Sequence, residues 1–329
     1  MEKFVKELLT DKVLEEVGSL YGVKNSDLYF VGGFENYIYG FKTDKEYIVR
    51  ITHSSHRNVE EIKSELDFIF YLAKCKSKVS MPLESINNKL VEVITCKDGS
   101  YFIICAFEKA IGTPPNRDNL TPEFFFSYGK TVGEFHRLTK EYNIRPGIKR
   151  RYNWDQDLLI INAKKYLPKE DEVVLKRLNE VIEEINKIDK NLNNFGLIHT
   201  DIHMGNFYVH NNELTVFDFD DLAYQYFISD IAIALYYFTF MKDEKDQLLF
   251  ADKLMEPFMK GYLSINHLSK EDYLKIPLFL KLREIILYIV FHRTVDAGLN
   301  EFANKYINRY KNRIINNIPF LDIDFLKYY

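Results

Sequence analysis

Between residues 196 and 221 a short island of β-type sequence interrupts an otherwise helical half of the chain. It constrains the fold more than any other stretch. It reads Gly196-Leu197-Ile198-His199-Thr200-Asp201-Ile202-His203-Met204-Gly205-Asn206-Phe207-Tyr208-Val209. A short apolar run delivers a polar loop, and a second apolar run leaves it. Asn211-Asn212 then turns the chain, and Leu214-Thr215-Val216-Phe217 returns it to Asp218-Phe219-Asp220-Asp221. A hairpin of this shape places Asn206 and Asp218 near the same end of two neighbouring strands, with Asp201 on the loop just before them. Hard cations such as Mg2+ take carboxylate and amide oxygens, and Mg2+ uses one or two carboxylates together with substrate phosphates. With Asn206 and Asp218 as metal ligands, Asp201 is left to meet a hydroxyl proton, the layout that phosphoryl transfer needs. Asp220 shares a face with Asp218 if the strand continues. That makes it, with His203, a candidate for a substrate or second-metal role.

Around this island the period of the apolar residues divides the chain. Residues 4–20 carry Phe4, Val5, Leu8, Leu9, Val13, Leu14 and Val17 at helical spacing, which predicts one amphipathic helix. Short β-type runs follow at 28–31, 37–41 and 47–51, then a helical period over 59–74, then strands at 90–95 and 101–105. Gly112-Thr113-Pro114-Pro115-Asn116 is linker-like. Beyond it the pattern predicts helices at about 121–140, 170–190, 228–241, 244–262, 270–292 and 300–316. The expected plan is α+β: a small antiparallel β-rich lobe over 1–106, a hinge over 107–112, and a large, mainly helical lobe over 113–329.

The string His199-x-Asp201-x-His203-x-Gly205-Asn206, followed twelve residues after the asparagine by Asp218, resembles the signature of the aminoglycoside phosphotransferase family. That family takes in choline and homoserine kinases of bacterial type. Ser229-Asp230-Ile231-Ala232 is similar to its Asp-hydrophobic-Ala helix start, in which the Asp braces the catalytic loop. The resemblance implies a bilobal fold like that of the protein kinases. It implies Mg2+-dependent transfer of the γ-phosphoryl group of ATP or GTP to a hydroxyl of a small molecule. Asp201 would be catalytic, Asn206 and Asp218 would hold the metal, and His199 and Asp230 would support the loop.

In the small lobe, Gly32-Gly33-Phe34-Glu35-Asn36 falls where kinases put the phosphate-covering loop. Arg50 stands where the family presents a lysine to the phosphates. Arg keeps its charge and forks onto phosphate or carboxylate, but it is not a lysine's equivalent. Its acidic partner is expected from the next helix, as Glu65, with Glu61 one turn earlier as the competitor. Phe107, Glu108 and Lys109 fall at the hinge, where backbone groups would read the base of the nucleotide. Tyr224, Tyr226, Tyr236 and Tyr237 are candidates to line an acceptor cleft. His136, on an apolar helix, reads as a satisfied core histidine.

Three rival functions follow from the same residues. Asp218-Phe219-Asp220-Asp221 also resembles bacterial stress-response kinases of this family, which would make the acceptor a protein Ser or Thr. Arg50 in place of lysine suggests a nucleotide-binding module with little catalysis. His199, Asp201 and His203 together suggest a zinc-type hydrolase.

Composition excludes other classes. Lys plus Arg number 44 against 48 Asp plus Glu, for a formal charge of −4, so no basic excess awaits a nucleic acid. Three scattered cysteines form no CxxC pair, which predicts a reducing, cytoplasmic setting. The start, Met1-Glu2-Lys3-Phe4-Val5-Lys6, has no apolar signal core. The longest apolar stretch, Ile231 to Met241, is too short to span a bilayer. The expected partner is therefore a small hydroxyl-bearing molecule rather than a nucleic acid or a membrane.

Overall fold

The computed structural model describes residues 3–116, 120–294 and 300–329. Met1 and Glu2, within the stretch read for a signal, lie outside the described residues, as do 117–119 and 295–299. The chain forms two compact units. One runs to Ile111 and takes in Asn143–Arg150; the other comprises Gly112–Tyr142 and Arg151–Tyr329.

In the first unit, helices α1 (Lys3–Leu8) and α2 (Asp11–Leu20) precede strands β1 (Tyr29–Gly32), β2 (Tyr37–Lys42) and β3 (Glu46–His53). Helix α3 (Val59–Lys74) leads to β4 (Pro82–Leu83), β5 (Glu92–Thr95) and β6 (Tyr101–Glu108). The antiparallel sheet runs β1-β2-β3-β6-β4, with β5 also paired to β6. The single helix expected over 4–20 is broken at Thr10, whose extended backbone (φ −91°, ψ 165°) starts α2 afresh. Asp11 then sits in the first turn of α2, where the helix dipole favours a carboxylate.

Strand alternation decides where the chemistry of this unit lies. Tyr47, Val49 and Ile51 join Val17, Tyr21, Phe41 and Ile104 in one apolar core. Ile48 and Arg50, at the alternate positions, therefore turn to the opposite face. The first turn of α3 is fixed by a capping box: Asn58 Oδ1 accepts from Glu61 N (3.0 Å), and Glu61 Oε2 accepts from Asn58 N (2.8 Å). Asn143–Arg150 joins this unit through Arg145, which pairs with the buried Asp67 of α3 and lies over the Phe70 ring at 5.8 Å.

The second unit is mainly helical: α4 (Pro122–Thr139), the short α5 (Leu158–Ile161) and α6 (Ala163–Tyr166), and α7 (Glu172–Asn186). After β7 (Phe195–Ile198), β8 (Phe207–His210), β9 (Glu213–Val216) and β10 (Ala223–Tyr226) come α8 (Ile228–Thr239), α9 (Glu244–Leu263), α10 (Lys270–Thr294) and α11 (Glu301–Ile315). Helices α4 and α9 touch backbone to backbone. A Cβ on Gly129 would stand 1.9 Å from Phe258 O, and one on Gly261 would stand 1.9 Å from Phe126 O. Only glycine permits that approach. Much of the aromatic content is spent here, with Tyr128 packed on Phe207 (5.0 Å) and Phe258 (5.1 Å), and Phe125 on Phe238 (5.4 Å). The β island holds two antiparallel pairs. β8 and β9 form the expected hairpin in the register Phe207↔Val216, while β7 pairs with β10 in the register Ile198↔Ala223. Among the described residues, no helix is long and apolar enough to cross a membrane.

Candidate active site

The loop between β7 and β8 is held by its own side chains and by helices α4, α8, α9 and α10. Thr200 takes a left-handed backbone (φ 61°), and its N–H donates to Asp230 Oδ1 (2.9 Å). Thr200 Oγ1 donates to Asp221 O (2.5 Å). Asp230 lies in the first turn of α8, and its other oxygen meets His136 Nε2 of α4 at 3.1 Å. His136 Nδ1 faces the Tyr262 hydroxyl of α9 at 3.0 Å, so this histidine is buried and satisfied. Tyr128 OH donates to Ile202 O. His199 is buried against the Phe219 ring (4.5 Å). Its Nδ1 accepts from Asp201 N (3.3 Å), so Nε2 carries the proton and donates to Phe217 O (3.1 Å).

Asn206 is tied at both ends. Its N–H donates to His203 O (2.8 Å), its carbonyl accepts from Phe217 N (2.9 Å), and Nδ2 donates to Asp201 O (2.9 Å) and Asp201 Oδ2 (3.1 Å). Among the described residues no donor reaches its Oδ1. Asp218 follows β9 with a left-handed backbone (φ 62°), uncommon outside glycine and best tolerated by Asp and Asn. The strand thus ends before Asp218, and alternation no longer relates Asp220 to it. Asp220 is buried, and its carbonyl accepts from Arg151 Nη2 while Arg151 Nε donates to Leu222 O (2.5 Å).

The Asp201 side chain is 18% exposed. Burial alone would raise its pKa, but His203 and the Arg283 guanidinium beside it outweigh burial and hold the carboxyl well below the usual carboxylate range. His203 Nδ1 accepts from Gly205 N (2.9 Å), so Nε2 carries the proton that faces Asp201 Oδ2 at 3.3 Å. Arg283 of α10 donates through Nη2 to Asp201 Oδ1 and to the Tyr237 hydroxyl. Sequence reasoning missed Arg283. It missed Arg151 as well. Of the four tyrosines proposed for a cleft, Tyr237 lies against the loop, stacked on His203 at 4.1 Å. Tyr226 and Tyr236 are core residues instead, with their hydroxyls turned inward to Ile188 O (2.7 Å) and to Tyr306.

The oxygens of Asn206 and Asp218 suit a hard divalent cation, and the unengaged Asn206 Oδ1 fits a ligand role. The zinc reading is overturned. Each nitrogen of His199 and His203 already faces a protein partner, which leaves none for a metal.

The first unit supplies further predicted residues. Arg50 and Glu65 form a buried two-pronged pair, Nη1–Oε1 2.8 Å and Nη2–Oε2 2.5 Å, and Arg50 lies over the Phe107 ring at 5.4 Å. Glu61 is spent on the helix cap instead. Gly32 and Gly33 have φ of 155° and 146°, and a Cβ on Gly33 would stand 1.9 Å from Asn36 O. At Phe107–Lys109 the N–H groups of Glu108 and Lys109 are taken by Met81 O (2.7 Å) and Glu46 O (3.1 Å).

An antiparallel β unit, a mainly helical unit and a braced Asp-Asn loop ahead of a hairpin define a protein-kinase-like phosphotransferase fold. The profile of the phosphotransferase enzyme family matches residues 29–263. Amicoumacin kinase of Bacillus subtilis (strain 168) is 31% identical over 319 residues, 96% of this chain and 95% of that protein. A solved structure of the amicoumacin kinase hAmiN in complex with AMP-PNP, Ca2+ and Ami superposes with a TM-score of 0.93 at 30% identity, over 100% of both chains. A microcompartment-associated aminopropanol kinase shares the fold at a TM-score of 0.73 and 21% identity, over 93% of this chain and 95% of that one. The chain belongs to the phosphotransferase enzyme family. It is a small-molecule kinase that acts on a hydroxyl, and its chemistry calls on a nucleotide and a divalent metal ion. These relatives favour the small-molecule reading over a protein Ser/Thr kinase or a non-catalytic module.

Proposed function

We propose that this kinase transfers the γ-phosphoryl group of ATP, with Mg2+, to a hydroxyl of amicoumacin or a molecule close to it, in the cytoplasm. The acceptor follows from 31% identity to an amicoumacin kinase across nearly both whole chains. The donor follows from the relative that carries AMP-PNP, an ATP analogue. The three cysteines, none of them in a disulfide among the described residues, fit a reducing compartment.

The observation that carries the mechanism is the double use of Asn206. Its amide nitrogen holds Asp201, and its amide oxygen is left for the metal, so one side chain sets the acceptor end against the phosphate end. Asp201 receives the acceptor hydroxyl. The acceptor oxygen bonds to the γ-phosphorus, the bond from that phosphorus to the bridging oxygen of ADP breaks, and the hydroxyl proton goes to Asp201. A carboxylate held so far below its usual pKa is a weak base. Asp201 therefore orients the hydroxyl first and takes the proton late, which suits a loose transition state. Asn206 and Asp218 hold the metal, which when bound neutralises phosphate charge. Arg50, fixed by Glu65, and the backbone at Gly32-Gly33 meet the phosphates. With the N–H groups of Glu108 and Lys109 occupied, the base is read by the carbonyls of Glu108 and Lys109 and by the peptide groups that follow.

ADP release with Mg2+·ATP tests this reading, with amicoumacin, aminopropanol and a small aminoglycoside offered in parallel. Release stimulated by amicoumacin alone supports it; stimulation by another compound with none by amicoumacin rejects the acceptor.

A further inference from the structure

We propose that Arg283 is a positioning residue for phosphoryl transfer, fixing the Asp201 carboxylate so that one lone pair on Oδ1 remains for the acceptor hydroxyl. The inference rests on Asp201 being the group that meets that hydroxyl. An ionised carboxylate offers about four lone-pair sites, two on each oxygen. On Oδ2, Asn206 Nδ2 donates (3.1 Å), and His203 Nε2 stands 3.3 Å away and crowds the second site. On Oδ1, Arg283 Nη2 fills one. The remaining site therefore lies on Oδ1, beside the guanidinium.

The Arg283 guanidinium lies 4.9 Å over the Tyr237 ring, and His203 stacks on Tyr237 at 4.1 Å. Arg283 donates to Oδ1 of the carboxylate, and His203 faces Oδ2. Tyr237 touches both, and its hydroxyl accepts a bond from Arg283 Nη2. Among the described residues the buried Arg283 Nε has no hydrogen-bond partner, a cost that surface salt-bridge chemistry does not explain. On α10 the neighbouring charges turn elsewhere: Lys281 pairs with Glu284 at 2.5 Å and donates to Ile318 O. Arg283 is thus the charge of this turn directed at the loop, and a cation there restricts the approach of the hydroxyl to one direction.

The test uses the full chain with Mg2+·ATP, reading ADP release with and without amicoumacin and the affinity for AMP-PNP. Arg283→Gln is expected to lower kcat about tenfold to a hundredfold, the cost of a misplaced catalytic group. AMP-PNP affinity should stay within about twofold of wild type, as for an independent site. Arg283→Lys should regain part of the loss, since the charge returns without the planar fork. Tyr237→Phe should lose less, since the ring remains. In an Asp201→Asn background Arg283→Gln should add no further loss, because it acts through Asp201; a purely structural residue would add its full effect. Wild-type kcat in Arg283→Gln, or a full added loss in the Asp201→Asn background, overturns the proposal. If Arg283→Gln fails to fold, Arg283→Lys and Tyr237→Phe decide it, and wild-type kcat in both overturns it. If wild type transfers nothing to amicoumacin, the acceptor assignment fails by itself. The same ratios are then read on acceptor-free ADP release, where water takes the open site.

Discussion

Replacing Glu65 by alanine would leave the Arg50 guanidinium buried without its carboxylate. The two side chains are 3% and 0% exposed and meet through two bonds of 2.8 and 2.5 Å. Removing one partner of a buried pair costs about 3–5 kcal/mol, because the remaining charge is stranded in a low-dielectric interior. At about 3–4 °C per kcal/mol for a unit of this size, the melting point should fall by on the order of 10 °C. A double replacement, Arg50→Met with Glu65→Leu, removes both charges at similar volume and should restore most of that stability. It should not restore nucleotide binding if Arg50 meets the phosphates. Thermal unfolding by circular dichroism and AMP-PNP titration with Mg2+, on wild type and the two variants, separate the two roles. A Glu65→Ala melting point within about 2 °C of wild type would refute the stability argument. Wild-type AMP-PNP affinity in the double variant would move the phosphate anchor away from Arg50.

Asp218→Ala should abolish Mg2+-supported turnover and weaken AMP-PNP binding only when Mg2+ is present, whereas Asn206→Ala should be milder because it removes no charge; identical Mg2+ titrations in wild type and Asp218→Ala would exclude Asp218 as a ligand. Gly33→Ala puts a Cβ 1.9 Å from Asn36 O at a φ of 146°. With backbone strain of about 1–3 kcal/mol, AMP-PNP affinity should drop about tenfold with the circular dichroism spectrum unchanged, and undiminished affinity would remove this loop from the nucleotide site. Burial lowers the pKa of His136 from 6.5, against the hydrogen bond and charge of Asp230. The unfolded chain then takes up the proton first as pH falls. The stability present above about pH 6.5 is thus lost on acidification, at up to about 1.4 kcal/mol per pH unit. His136→Gln should flatten that slope between pH 6.5 and the folded-state value, and parallel denaturation curves would contradict it.

Local chemistry made much of this legible. Helix α3 begins at Val59 as expected because Asn58 and Glu61 cap it, and the same capping explains why Glu65 and not Glu61 reaches Arg50. The β8–β9 hairpin followed from apolar runs on either side of Asn211-Asn212, and it brings Asn206 and Asp218 to one end. Long-range returns of the chain were not legible. Arg283 stands on an apolar helix beside Lys281 and Glu284, and composition does not distinguish the charge that meets Asp201 from the two that pair with each other. The return of Asn143–Arg150 to the first unit includes the pairing of Arg145 with Asp67, and no local pattern announces it. The break at Thr10 was visible in principle, since Thr10-Asp11 is helix-start chemistry, but the apolar period runs through it unbroken. The alternation argument for Asp220 failed because the left-handed backbone at Asp218 ends the strand.

The central claim is transfer to a small-molecule hydroxyl with Asp201 as the group that receives it. It is tested most directly by following γ-32P-labelled ATP with amicoumacin and the full chain, in wild type and Asp201→Asn. The account predicts that wild type moves the label onto amicoumacin in step with ADP release. Asp201→Asn should slow that transfer about 10²–10⁴-fold with AMP-PNP affinity nearly unchanged. Label appearing only as inorganic phosphate or on protein, or an Asp201→Asn enzyme transferring at the wild-type rate, would contradict it.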